Sequence, residues 1–162
     1  MLLRNQSYAP NVISTCGHVY AMEHAPVVPT LMPPSWHKRT PEPPRWSEVA
    51  AVALQILDLV DSLDHDLEEA VQFCDMKPDN IGLSSDGAFK IIDIDSIFFL
   101  SDLEDFSSRT SCRTDRDCHF QYCLGKCNLI TNTCEKRMIN NNLQRACTLS
   151  LSYITRIQKK KI

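Results

Sequence analysis

The sequence predicts an α+β chain. Three stretches carry that reading: apolar residues recurring at helical spacing over residues 46–64, a loop followed by a hairpin over residues 73–95, and a block of closely spaced cysteines after residue 111. The chain has 162 residues, enough for one domain with a real core. Its net charge of −3 makes no electrostatic case for nucleic-acid binding. No apolar run reaches the ~18 residues that a membrane-spanning helix needs. The first residues, Met-Leu-Leu-Arg-Asn-Gln, lack the long apolar segment of a signal peptide.

In chain order, residues 12–25 read as a strand, a turn at Cys16-Gly17, and a second strand from His18 to Met22. Val19 and Ala21 alternate with Tyr20 and Met22 there, the period of a strand. His18 and His24 read as exposed or structural rather than as ligands. Residues 26–45 hold seven of the nine prolines, which excludes a helix interior or a central strand. An extended connection is expected there, part of it polyproline II. A linker fits it better than a Pro-rich partner-binding motif.

Residues 46–64 are the clearest helix. Trp46, Val49, Ala50, Ala53, Ile56, Leu57, Val60 and Leu63 recur three and four apart, and Ser47 is placed to cap the start. Asp58, Asp61 and Asp64 lie toward its end, against the helix dipole, and read as a solvated face rather than a metal site. The helix is expected to pack beneath the loop that follows, with residues 67–74 bringing the chain back into it.

That loop carries the chemistry. It reads Phe73-Cys74-Asp75-Met76-Lys77-Pro78-Asp79-Asn80. Asp75 and Asn80 are five apart, the spacing of the Asp-x-x-x-x-Asn catalytic loop of protein kinases. Ile81-Gly82-Leu83 reads as a strand, Ser85-Asp86-Gly87 as a turn using the glycine's positive φ, and residues 88–92 as the return strand. The hairpin would bring Asn80 and Asp93 back to one end. Two oxygen ligands there suit Mg²⁺, which completes its shell with waters and substrate phosphates. Asp75 would orient or deprotonate a hydroxyl, and Lys77 would neutralise phosphoryl charge. After Asp93 the pattern departs from ordinary kinases: residue 95 is Asp, Ile97 to Leu100 form an apolar run read as core, and no Ala-Pro-Glu follows.

Five cysteines, Cys112, Cys118, Cys123, Cys127 and Cys134, fall within 23 residues; Cys147 follows, and Cys16 and Cys74 lie apart. This density points to disulfides in an oxidising compartment, with 15 pairings open to the six clustered thiols. Zinc is the lesser alternative, since only Cys123 and Cys127 approach ligand spacing. Asp115 and Asp117 form no EF-hand loop. The tension between many cysteines and no targeting segment leads to the expectation that the chain is incomplete at its N-terminus. Residues 138–157 are weakly helical, with Leu143, Cys147, Leu149, Leu151 and Ile154 apolar, and the chain ends in a basic tail with Lys159, Lys160 and Lys161. Asn5-Gln6-Ser7 is a glycosylation sequon if it is lumenal.

On Cys74-Asp75-Met76-Lys77-Pro78-Asp79-Asn80, Ile92-Asp93-Ile94-Asp95 and the cysteine block, the chain resembles the divergent protein kinase domain 1 family. These are cysteine-rich, kinase-like proteins of the endoplasmic reticulum, anchored as type II membrane proteins. They have Cys before the catalytic Asp and Asp-x-Asp in place of Asp-Phe-Gly. Thr15-Cys16-Gly17 and Asn141-Asn142-Leu143-Gln144 also look like family stretches. The resemblance covers about residues 12–147 and implies a protein-kinase-like fold, mainly the large lobe with the last strands and hinge of the small lobe, plus a disulfide-rich segment.

In that frame residues 12–25 are small-lobe strands and hinge, 26–45 the Pro-rich connection, and 46–100 the central helix, catalytic loop and metal-site hairpin. Residues 112–147 are the Cys-rich segment and 148–162 a basic tail. The resemblance implies Asp75 as catalytic base, Lys77 as a phosphate contact, and Asn80 and Asp93 as metal ligands. Asp95 would be a further ligand, two residues along a strand from Asp93 and so on its face. Glu23, His24 and Ala25 would form the adenine-contacting hinge. ATP with Mg²⁺ or Mn²⁺, an unknown protein substrate, and residence in the lumen or membrane of the endoplasmic reticulum follow from the same likeness. No Gly-rich loop stands in these 162 residues. Three readings stay open: a phosphotransferase domain, incomplete as it stands; a non-catalytic pseudokinase or disulfide-rich interaction module; and a small secreted disulfide-bonded binding protein.

Overall fold

Extended, alternating residues on both sides of a glycine turn make the first element a hairpin. β1 (Val12–Cys16) pairs antiparallel with β2 (Val19–Met22), and Gly17 supplies φ +58 at the turn. The Glu23 backbone N–H donates to Asn11 O at 2.8 Å, and Glu23 Oε2 accepts from Asn11 Nδ2 at 2.9 Å. Both strands are largely exposed: Ile13 and Val19 are each 72% accessible. The computed structural model describes residues 8–17, 19–27 and 46–158. His18, most of the Pro-rich stretch, the Asn5 sequon and the terminal lysines lie outside them.

α1 (Trp46–His65) is the expected helix. Ile56, Leu59, Val60 and Leu63 form its buried arc, at the three- and four-residue steps that 3.6 residues per turn bring to one face. Trp46 and Leu57 point to solvent, because their rotation takes them off that arc, and Leu59 takes a place in the core instead. Ser47 lies inside the first turn and not ahead of it, so it is not the cap.

β3 (Val71–Phe73) is wholly buried and pairs antiparallel with β6 (Ile97–Phe99), with Phe73 opposite Ile97. Sequence pattern did not reveal this pair. Both strands are only three residues long, too short for an alternation to register. Between them lies the expected hairpin, β4 (Ile81–Leu83) with β5 (Phe89–Ile91), its turn closed by Gly87 at φ +85. α2 (Leu100–Arg109) follows β6 directly and buries Leu103 and Ser107. The apolar side chains of α1, β3, β4 and β5 meet in one core, which Tyr8 enters from the N-terminal side.

The cysteine block is built on short elements: β7 (Cys127–Asn128) pairs with β8 (Thr133–Cys134). The Asp117 carboxylate accepts from the backbone N–H groups of Arg113 and Thr114, each at 2.9 Å, and Asp115 Oδ1 accepts from Cys127 N at 2.9 Å. These two aspartates are turn-formers. Three disulfides form: Cys112–Cys127, Cys118–Cys134 and Cys74–Cys123. Cys112, Cys118 and Cys134 bring their sulfurs within 4.8 Å of one another. Each is already in a disulfide, which removes the thiolates that zinc would need. Cys147, grouped with the block by sequence, is free and exposed, as is Cys16, while Cys74 is drawn in.

α3 (Asn142–Gln158) packs on α1 through Ala146 and Leu149. It runs through residues 148–158, so the stretch read as a basic tail is helical up to Gln158. Among the described residues no helix is long and apolar enough to cross a membrane.

Candidate active site

Two antiparallel ladders converge on the 74–80 loop. At the end of β3 the Cys74 N–H donates to Ser96 O at 2.9 Å, which sets Asp75 beside the chain entering β6. At the start of β4 the Ile92 N–H donates to Asn80 O at 3.0 Å, which sets Asp93 one residue beyond Asn80's own contact. A three-residue 3-10 turn, Pro78–Asn80, closes the loop; Pro78 sits where a helical turn has no N–H to satisfy. The structure thus brings Asp75, Lys77, Asn80 and Asp93 to one place.

Within it, the Asn80 side-chain amide donates twice to Asp75: to the backbone O at 3.1 Å and to Oδ2 at 2.8 Å. With its nitrogen so used, Asn80 has Oδ1 to offer a ligand. Lys77 Nζ donates to the same Asp75 Oδ2 at 2.5 Å. That hydrogen bond, with the charges of Asp75 and Asp93, raises the Lys77 pKa and keeps it cationic. Asp75 and Asn80 are buried, Lys77 and Asp93 half-buried.

Asp95 is placed differently from the strand geometry expected of it. Residues 94–96 form a 3-10 turn that Asp93 caps, its Oδ1 accepting from Asp95 N at 3.3 Å. The period-two argument for a shared face therefore does not apply, and Asp95 is exposed. Of the residues expected to form a hinge, Ala25 is buried against β4. Val27 bridges to Gly82, and Leu83 N donates to Pro26 O at 3.0 Å. A Cβ on Gly82 would stand 2.6 Å from Ala25 O, so this close approach requires glycine. Glu23 closes the first hairpin and His24 is exposed.

Three contacts beside the loop escaped the sequence reading. The first is the Cys74–Cys123 disulfide, which fastens the cysteine block to the residue before Asp75 across a separation of 49. Its one sequence signal is a cysteine abutting the aspartate. The second is Tyr122, whose N–H donates to Cys74 O at 2.8 Å. The third is Asn142, wholly buried at the start of α3. Its Oδ1 accepts from Phe73 N at 3.0 Å and Arg145 Nη2 at 2.8 Å, and its Nδ2 donates to Val71 O at 2.7 Å and Asp64 Oδ1 at 2.8 Å. All four hydrogen-bonding positions of that amide are used. Arg145 also reaches Gln72 Oε1 at 2.6 Å, and burial lowers its pKa to about 10 despite the Asp64 charge. Asp64, read as solvated, is therefore half-turned into this network.

A family model described as the protein-kinase domain of FAM69 matches residues 1–162. No solved structure matches the chain.

Proposed function

The chain belongs to the FAM69 protein-kinase domain family, and on that premise we propose that its 74–93 segment is the phosphotransfer centre of a divergent kinase-like domain. The observation that carries this reading is the double donation from Asn80 to Asp75. It leaves Asn80 Oδ1 to offer a ligand, and the backbone bond from Ile92 to Asn80 brings the residue before Asp93 to it; two such hard oxygen donors would fit Mg²⁺ or Mn²⁺. When bound, such an ion neutralises charge on the phosphates of ATP. The chain's own groups do the rest. Asp75 holds an acceptor hydroxyl and takes its proton at a carboxylate oxygen. Lys77, fixed on Asp75, meets the charge on the transferred phosphoryl group. Glu23, His24 and Ala25, just before the Pro26–Val27 contact with β4, would offer backbone groups to adenine. Asp95 is an outer, exposed carboxylate on the same turn. The buried disulfides support an oxidising compartment, for which the endoplasmic reticulum is the reading.

The test is the melting temperature of the oxidised protein with and without Mg²⁺- or Mn²⁺-ATP, beside Asp93→Ala. A metal-dependent rise that the variant loses is the expected result, because a ligand that binds only the native state stabilises it by mass action. A well-folded sample with no shift would sink the phosphotransfer reading and make this chain a scaffold of kinase ancestry.

A further inference from the structure

The cysteine block does more than staple the fold: it puts a side chain at the rim of the catalytic loop. Residues 120–123 form a tight turn, with Phe120 N donating to Cys123 O at 2.8 Å, Cys123 N to Phe120 O at 2.9 Å, and Gln121 at φ 54. The turn is tied down on every side. Cys123 is bonded to Cys74, and Tyr122 N donates to Cys74 O. Asn140 Nδ2 donates to Tyr122 O at 2.7 Å, while Asn140 Oδ1 accepts from Leu124 N at 2.9 Å. Phe120 stacks edge-on against Phe98, ring centroids 4.8 Å apart. A backbone fixed so completely costs conformational entropy to order. Yet Tyr122 is 52% exposed and belongs to none of the core clusters. A rigid turn that holds a half-exposed aromatic residue against Cys74, next to Asp75, has the form of a binding surface.

We infer that Tyr122 is an acceptor-binding residue, the wall against which a hydroxyl-bearing peptide lies while its hydroxyl meets Asp75. This rests on the phosphotransfer reading above. The ring suits a peptide because a serine, threonine or tyrosine hydroxyl arrives flanked by apolar side-chain and backbone surface that an aromatic face covers at small entropic cost. In the step it serves, the acceptor oxygen bonds to the γ-phosphorus and the bond from that phosphorus to the bridging oxygen breaks. The electron pair leaves with ADP, and the acceptor proton passes to the Asp75 carboxylate.

The experiment uses the full chain with Mg²⁺-ATP and a degenerate peptide pool containing Ser, Thr and Tyr, comparing wild type, Tyr122→Ala, Tyr122→Phe and Asp75→Asn. Tyr122→Ala is expected to raise the peptide KM about tenfold, the loss typical of an interfacial tyrosine. The KM for ATP should move much less, and Tyr122→Phe should restore most of the peptide KM. An unchanged peptide KM in Tyr122→Ala would overturn the assignment, as would equal changes in both KM values, while leaving the phosphotransfer reading intact. Transfer by wild type no greater than by Asp75→Asn would overturn the phosphotransfer reading and this assignment with it.

Discussion

Asn142→Ala tests the tie between α3 and the strand that leads into the 74–80 loop. Among the described residues β3 has a strand partner on one edge only, β6. On its other edge Asn142 satisfies Phe73 N–H and Val71 C=O. Alanine would orphan both groups at a site with no access to water, each at about 1–3 kcal/mol. It would also take one acceptor from the buried Arg145 guanidinium, which keeps Gln72 and Asn140. Because these losses share partners they do not simply add, and about 3–5 kcal/mol is expected. Against a usual domain stability of about 5–15 kcal/mol, that threatens folding itself. Urea denaturation measures it, and hydrogen exchange at the Phe73 amide localises it. Asn142→Asp should cost less at Phe73, since an oxygen still accepts there, but it loses the donation to Val71 and sets a carboxylate against Asp64. A loss below about 1 kcal/mol in Asn142→Ala, with Phe73 exchange unchanged, would refute the reasoning.

Three further outcomes follow from the same structure. Cys123→Ser opens the bond that spans 49 residues and should cost about 2–5 kcal/mol; non-reducing peptide mapping of the wild type should find Cys147 free, and a bond between Cys74 and Cys147 would contradict the pairing. Gly82→Ala drives a methyl group into Ala25 O and should lower the melting temperature and speed amide exchange at Leu83, whose N–H donates to Pro26 O; wild-type values for both would show that the segment yields easily. The buried Tyr8 hydroxyl has no hydrogen-bond partner among the described residues, and burial, then the Asp66 charge, raises its pKa to about 12 from 10.0. The unfolded chain therefore ionises first, so this group's stabilising contribution is complete below pH 10 and is lost as pH rises toward 12. Tyr8→Phe should match or exceed wild type at neutral pH and flatten that alkaline loss; an identical alkaline slope in the two proteins would refute it.

The helix at 46–65 and the 81–91 hairpin were legible because their patterns are local. The spacing from Asp75 through Asn80 to Asp93 was legible because a loop and a hairpin need only neighbours in sequence to define them. The exposure of Leu57 and Trp46 was not, since periodicity names an apolar stripe without saying which part of it a partner covers. The strand geometry expected for Asp95 failed because Asp93 satisfies the Asp95 N–H itself and turns the chain there.

By itself, then, the sequence determined the α+β class, the kinase-like loop, and the presence of a disulfide-bonded block. These rest on residue identity and short-range spacing. Only the tertiary structure decided that Cys74 pairs with Cys123, that β3 pairs with β6, that Asp64 and Asn142 share a hydrogen bond across 78 positions, and that Tyr122 stands beside Asp75's loop. Each of these joins residues far apart in the chain. Such a contact leaves no periodic trace in either segment, because its energy is gained only when folding brings both partners out of water together.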